Sequence, residues 1–530
     1  MLACLAALGC SGGADPAPRD APSEAGAGGE CAACPQPSAG EGGGGGTNAP
    51  AEGGGAPASG GAASGNSGAP SVDAPVLALR SISLSQTHEL PLMAEGHSVP
   101  QRARPAPLIA GKRSLFRVFV ELEPGWSPRP LLGVLDLRNG SQTSSIVSER
   151  SLSESSRQDD VASTFAFDVP PSELTSSTTY RVRVLDQDKT ELARFPDEGF
   201  GALDAEPAEP FELVMVPLVS AGHAPTLAAP EIAALRARLL AIYPLSDVTI
   251  SIADSVKLPY VVDGDGNGWD EALDDLYAYR DAASPADNVF FYGMLAPSTS
   301  FTSYCKSSCV LGYSVIAEAD DVASRGSIGV TIFADGSGAS DAWDTLAHEL
   351  GHALGRDHAN CGLELGEPAD PDDYDADYPY LNAGMGSVYG FDFATMRLVK
   401  PKTYRDVMSY CVPVWISDYT YRAIDERLDY IASSRFRALS LTPPAMERVA
   451  RIRRDGQTRW LTERERRGSG ATRAVALLDA AGVEVGQVMV RFSPIDHAAG
   501  GYVSLSAASL AVAGAVSLDL RPLGGSILPL

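Results

Sequence analysis

Positions 348 to 358 read His348-Glu349-Leu350-Gly351-His352-Ala353-Leu354-Gly355-Arg356-Asp357-His358, an H-E-x-x-H-x-x-G-x-x-H pattern. On a helix, residues four apart share a face one turn apart, so His348 and His352 can offer two imidazoles to one metal ion. A third nitrogen cannot come from that face without straining the coordination. Gly355 lets the chain leave the helix and swing His358 back toward the metal. Three protein ligands leave one position open, which separates a catalytic zinc, holding a water, from a closed structural one. In this scheme zinc lowers the pKa of its water and Glu349 takes the proton as general base. The expected chemistry is metal-assisted hydrolysis of a peptide bond. The competing reading is a set of ordinary helix and loop histidines. It is disfavoured because the chain holds only seven histidines and three of them fall here, with a glycine at the place where the helix must end.

Downstream stands Tyr404-Arg405-Asp406-Val407-Met408-Ser409-Tyr410-Cys411. The extended histidine motif followed by a methionine of this kind resembles the metzincin metallopeptidases. The wording of Asp377-Tyr378-Pro379-Tyr380 and of the run from Trp415 to Tyr421 is similar to secreted bacterial members. The resemblance spans roughly residues 210 to 435. It implies that Met408 lies in a tight turn beneath the zinc ligands, a role no different from that of a core methionine. It also implies that Tyr410 binds the zinc or stabilises an oxyanion, against the plainer reading of a buried tyrosine with one hydrogen bond.

These residues need a scaffold. Phe211 to Val219, Val248 to Ile252 and Asn288 to Gly293 read as strands, with helices over about 230–242 and 269–283 between them. The order predicts a twisted sheet with backing helices. Ser327 to Phe333 precedes the histidine helix and is the expected edge strand, which in metzincins pairs with an extended substrate. Ser340 or Asp341 is the expected N-cap, and Trp343, Leu346, Leu350 and Leu354 give the helix an apolar stripe to bury.

Asp263-Gly264-Asp265-Gly266-Asn267-Gly268 resembles the first half of an EF-hand loop and is a candidate calcium (Ca2+) site. It departs from the pattern in having Asp274 where a bidentate glutamate belongs, so a plain Gly-Asp turn competes with it. The acidic run from Glu367 to Asp377 reads as a solvated loop. Cys305, Cys309, Cys361 and Cys411 permit three complete pairings. Cys361 follows His358, and Cys411 follows Met408, by the same offset, which predicts a Cys361–Cys411 bridge with Cys305 and Cys309 closing a small loop. Free thiols or another pairing are the alternatives.

Outside this region the chain reads differently. Residues 1–10 end in Ala7-Leu8-Gly9-Cys10 and resemble a bacterial lipobox, with Cys10 as the acylated residue, although a basic n-region is missing. An ordinary cleaved signal and a disordered tail are the alternatives. Residues 11–75 are a Gly, Ala, Pro and Ser stretch that cannot bury a core, and its Cys31 and Cys34 suit a local disulfide better than a redox pair. Short alternating runs over 76–205 and again over 437–530 predict β-sandwich-like domains flanking an α/β metzincin-like catalytic domain over 206–436. The net charge of −26 argues against nucleic acid and against electrostatic docking on anionic lipid, so the expected membrane link is the N-terminal lipid anchor alone. An exported, cell-surface zinc endopeptidase acting on protein or peptide substrates is the resulting expectation. The alternatives are a non-catalytic surface binding or adhesion protein on the same fold, and a zinc hydrolase with a non-peptide substrate. The intact Glu349 argues against the binding protein.

Overall fold

Runs of β-branched and alternating residues, cut by Gly, Pro and Asn turns, pair in the first third of the chain as two antiparallel sheets. The computed structural model describes residues 77–361, 374–437, 445–461, 464–466, 472–496 and 500–530. The Cys10 lipobox-like run, the Cys31 and Cys34 pair and most of the acidic run from Glu367 lie outside the described residues. One sheet centres on Leu77–Ser85 and Ser114–Leu122, the other on Arg129–Asn139 and Thr179–Leu185. Ile82 and Phe116 from the first meet Leu135 and Val182 from the second in one buried cluster.

The central sheet has the order β2-β1-β3-β5-β4, where β1 is Glu212–Val219, β2 Thr249–Ile252, β3 Val289–Leu295, β4 Gly312–Ser314 and β5 Gly326–Val330. β1, β2, β3 and β5 run parallel, and β4 returns antiparallel to β5. Every residue of β3 is buried, as a parallel strand covered on both faces requires. Helices α1 (Ala229–Ile242), α2 (Trp269–Ala283), α3 (Ala339–Ala353) and α4 (Asp418–Arg437) accompany it. The whole is a mixed α/β arrangement of several sheets with few helices. Among the described residues no helix is long and apolar enough to cross a membrane.

Two expectations need correction. The run from Ser327 is not the edge strand: β5 is interior, and β4 pairs outside it. A three-residue strand that includes a glycine has no local hydrophobic signature by which it could be read. Nor do Ser340 and Asp341 cap the histidine helix, which begins at Ala339 behind Gly338, a glycine at φ 84°. The tight turn before the helix takes the left-handed residue that only glycine adopts without cost.

The last part of the chain forms an eight-stranded sheet, antiparallel throughout, that includes β6 (Ala445–Ile452), β7 (Glu484–Pro494) and β8 (Gly501–Ser506). It has its own core around Val490, Val503 and Leu518. Three of its residues, Val449, Ile495 and Tyr502, belong instead to the buried cluster of α2 and the central sheet.

Candidate metal centre

Of the stripe expected on α3, Leu346, Leu350 and Leu354 are at most 1% exposed, and Trp343 is half-buried against the same core. Burying that stripe turns His348 and His352 toward the neighbouring loops. Gly355, at φ 77°, reverses the chain; a side chain there would run into Arg427 and the Ala317 carbonyl. His358 comes back to the other two. The ε-nitrogens of His348 and His352 lie 3.1 Å apart, and those of His348 and His358 3.3 Å apart.

The second ring nitrogens fix the tautomers. Nδ1 of His348 is 2.8 Å from the Val407 carbonyl, and Nδ1 of His352 is 2.6 Å from that of Arg356. A carbonyl oxygen only accepts, so each Nδ1 carries the proton and each Nε2 offers a lone pair inward. Lone pairs of neutral rings at such distances repel unless a cation lies among them. This is the donor set and the outer hydrogen bonding that a metal-ligating histidine cluster uses, so the residues fit a metal ion.

Met408 lies directly beneath. A Cβ at Gly351, a position the motif leaves open, would run into its sulfur, so a glycine there lets the methionine turn approach. Asp406 builds that turn: its buried carboxylate accepts from the Met408 and Ser417 amides, both at 2.8 Å. The Ala359 amide donates to the Met408 carbonyl at 2.9 Å, and the Cys361–Cys411 disulfide closes the same junction from the other side. Cys305 and Cys309 form the second bridge. Tyr410 places its hydroxyl 2.5 Å from Nε2 of His358, at the rim of the cluster.

Glu349 flanks the apolar stripe and points toward Gly312 of β4. It is 1% exposed, and its carboxylate fills the space a Cβ at Gly312 would occupy. Oε2 of Glu349 has no hydrogen-bond partner among the described residues. Burial first, and the Asp496 carboxylate next, push the Glu349 carboxyl well above the usual range.

Asp496 was not legible as a site residue. It follows β7 by two positions, and no motif surrounds it. Its carboxylate oxygens lie 3.0 Å from Nε2 of His352 and 3.0 Å from Nε2 of His358. His348, His352, His358 and Asp496 are all buried and form one group able to hold a metal ion.

The candidate calcium loop does not assemble as expected. The Asp263 carboxylate accepts from the amides of Asp265 and Asn267 at 3.0 and 3.1 Å and from the Asn267 side chain at 2.8 Å. Asp274 is turned away to Arg451 and Arg459 of the last sheet. The resulting arrangement is an Asx turn whose would-be twelfth ligand serves another contact.

No protein-family model and no curated protein matches the chain. Among solved structures, metalloproteinase-II from Bacteroides fragilis is similar at 13% identity and a TM-score of 0.20, covering 47% of this chain and 73% of that one. A chaperone-substrate complex is similar at 10% identity and a TM-score of 0.22, covering 51% of this chain and 39% of that one. Likeness at this level carries no argument about fold or function.

Proposed function

We propose that the chain is a zinc-dependent endopeptidase of metzincin type, hydrolysing peptide bonds of extracellular proteins. The observation that carries the proposal is the meeting of three inward ε-nitrogens from His348, His352 and His358 with the adjacent buried carboxylate of Glu349. Three imidazoles suit zinc, which when bound polarises the substrate carbonyl and lowers the pKa of the attacking water. Glu349 takes the proton from that water and returns it to the leaving amine. Burial and the nearby Asp496 carboxylate raise its affinity for a proton, and its Oε2 has no hydrogen-bond partner among the described residues. Tyr410, next to His358, donates a hydrogen bond to the oxygen on which charge develops. β4 has one side taken by β5, and its other edge, along which Pro494 to Asp496 now lies, is the one an extended substrate would join. Two disulfides suit an oxidising compartment, in keeping with export.

One observation favours a second reading. Four protein groups around a metal make a closed, structural site, and Asp496 supplies a fourth. On that reading the chain is a surface binding protein with a metallopeptidase scaffold.

A digest of a proteome-derived peptide library by the full chain, as wild type and as Asp496→Ala, separates the two. Endopeptidase function predicts new cleavage sites that disappear with a chelator and with Glu349→Ala added to either form. Zinc-loaded chains that cut nothing in either form refute it.

A further inference from the structure

Extended chain added to the free edge of a sheet is held by backbone bonds alone, so any strand of suitable course can occupy an edge meant for a substrate. In this protein one does. The Ile316 amide donates to the Pro494 carbonyl at 3.1 Å, and the Asp496 amide donates to the Ser314 carbonyl at 2.8 Å. Val315 and Ile495 stand opposite one another in an antiparallel bridge between those two bonds. Pro494 to Asp496 thus continues the central sheet beyond β4, on the edge that β5 leaves open. The next side chain along this added strand is the one that meets the histidines: Asp496 is 2% exposed and contacts His352 and His358 at 3.0 Å each.

We propose that the last sheet is a built-in inhibitor, with Pro494–Asp496 bound in the substrate cleft as a strand and Asp496 holding the coordination position that a catalytic water needs. This rests on the peptidase reading for the identity of the cleft. The closure is a docked interface and not a loose tail. Arg451, fully buried, pairs with Asp270 of α2 at 2.8 Å and with Asp274 at 3.3 Å. Arg459 reaches Asp274 at 2.8 Å, and Arg453 reaches Glu271 at 2.8 Å. Ile495 and Tyr502 are buried in the cluster of α2. An acidic face of α2 and a basic face of the last sheet therefore fix the register in which Asp496 arrives at the histidines. The three inward ε-nitrogens and Asp496 complete a four-coordinate set, the closed form of a zinc site. Opening requires that the carboxylate and the three-residue strand withdraw together, drawing Ile495 out of the α2 cluster; no covalent step is involved.

The test uses the zinc-loaded full chain and a dipeptide hydroxamate, which binds zinc in competition with Asp496. A site closed nine-tenths of the time binds a competitor about tenfold more weakly than an open one. Asp496→Asn, which keeps the shape, and Asp496→Ala are therefore expected to bind the hydroxamate at least about tenfold more tightly than wild type. They are also expected to release zinc to a chelator faster by on the order of 10- to 100-fold. Near-UV circular dichroism reports whether each variant keeps its native packing. In wild type alone, amide exchange at Ile316 and Asp496 should be slow and should accelerate when hydroxamate saturates the site. Equal hydroxamate affinity in wild type and natively packed variants overturns the proposal, as does exchange at those amides that hydroxamate leaves unchanged. Hydrolysis is read separately. A variant that admits the hydroxamate but cuts no peptide sinks the peptidase reading and leaves the closure standing.

Discussion

Glu349 is a base and not a ligand in this account, because its carboxylate lies against Gly312 while the ε-nitrogens of the histidines converge on the other group, Asp496. Glu349→Ala is therefore expected to keep one zinc per chain and to lower kcat by about 10²- to 10⁴-fold, the usual worth of a general base. Elemental analysis and steady-state kinetics on the same sample check it, and loss of the metal would reassign the residue. Tyr410→Phe removes a hydroxyl 2.5 Å from Nε2 of His358. If that hydroxyl serves the transition state, kcat falls by roughly 10- to 100-fold with KM little changed. A fall in zinc affinity instead would mark it as a ligand. At this scale the sequence is most readable where chemistry and helical period coincide, as for His348, Glu349 and His352 on α3. Asp496 reaches the same point from a strand end of another sheet, and no local pattern announces a contact made over so long a separation.

Segments, more than residues, hold the centre in shape. The loop after His358 and the turn at Met408 are joined by the Ala359 amide and by Cys361–Cys411, whose partners are 50 positions apart. Closing a loop of that length is worth about 4 kcal/mol in the chain-entropy model. The double variant Cys361→Ala/Cys411→Ala is expected to lower the unfolding free energy by up to about that amount. It should also lose zinc to a chelator faster than wild type under conditions where the fold survives. Unchanged zinc release would show that the bridge supports only global stability. The pairing followed from two cysteines at equal offsets from groups that must converge, and it is the pairing found. Edge position was less readable: which strand ends a sheet depends on pairing partners far along the chain, and β4 carries Gly312 in place of an apolar signal. The start of α3 escaped for a similar reason, since the left-handed turn at Gly338 competes with the serine and aspartate that follow it.

At the scale of the whole molecule the sheets on either side of the central one share buried clusters with it, which makes the flanking regions part of the scaffold. His88 sits at one such junction, with Nε2 donating to the Ile416 carbonyl at 2.8 Å and its ring edge-on to Tyr421. Its Nδ1 is buried with no hydrogen-bond partner among the described residues. Burial, with Lys112 nearby, lowers its pKa from 6.5 to about 4, so the folded chain holds the ring neutral where the unfolded chain protonates it. The stability it contributes is present above about pH 6.5 and is lost as pH falls toward 4, reaching at most about 3 kcal/mol. Urea unfolding at pH 7.5 and pH 4.5 should show this loss in wild type and a smaller one in His88→Gln; equal losses would exclude the residue as a source. Whether three histidines of this chain hold one zinc ion is read directly by X-ray absorption at the zinc edge of the purified full chain. One zinc per chain is expected, with three imidazole nitrogens at about 2.0–2.1 Å and oxygen completing the shell. Chain that takes up no zinc on titration, or a shell with fewer than three imidazoles or with sulfur in it, would contradict it.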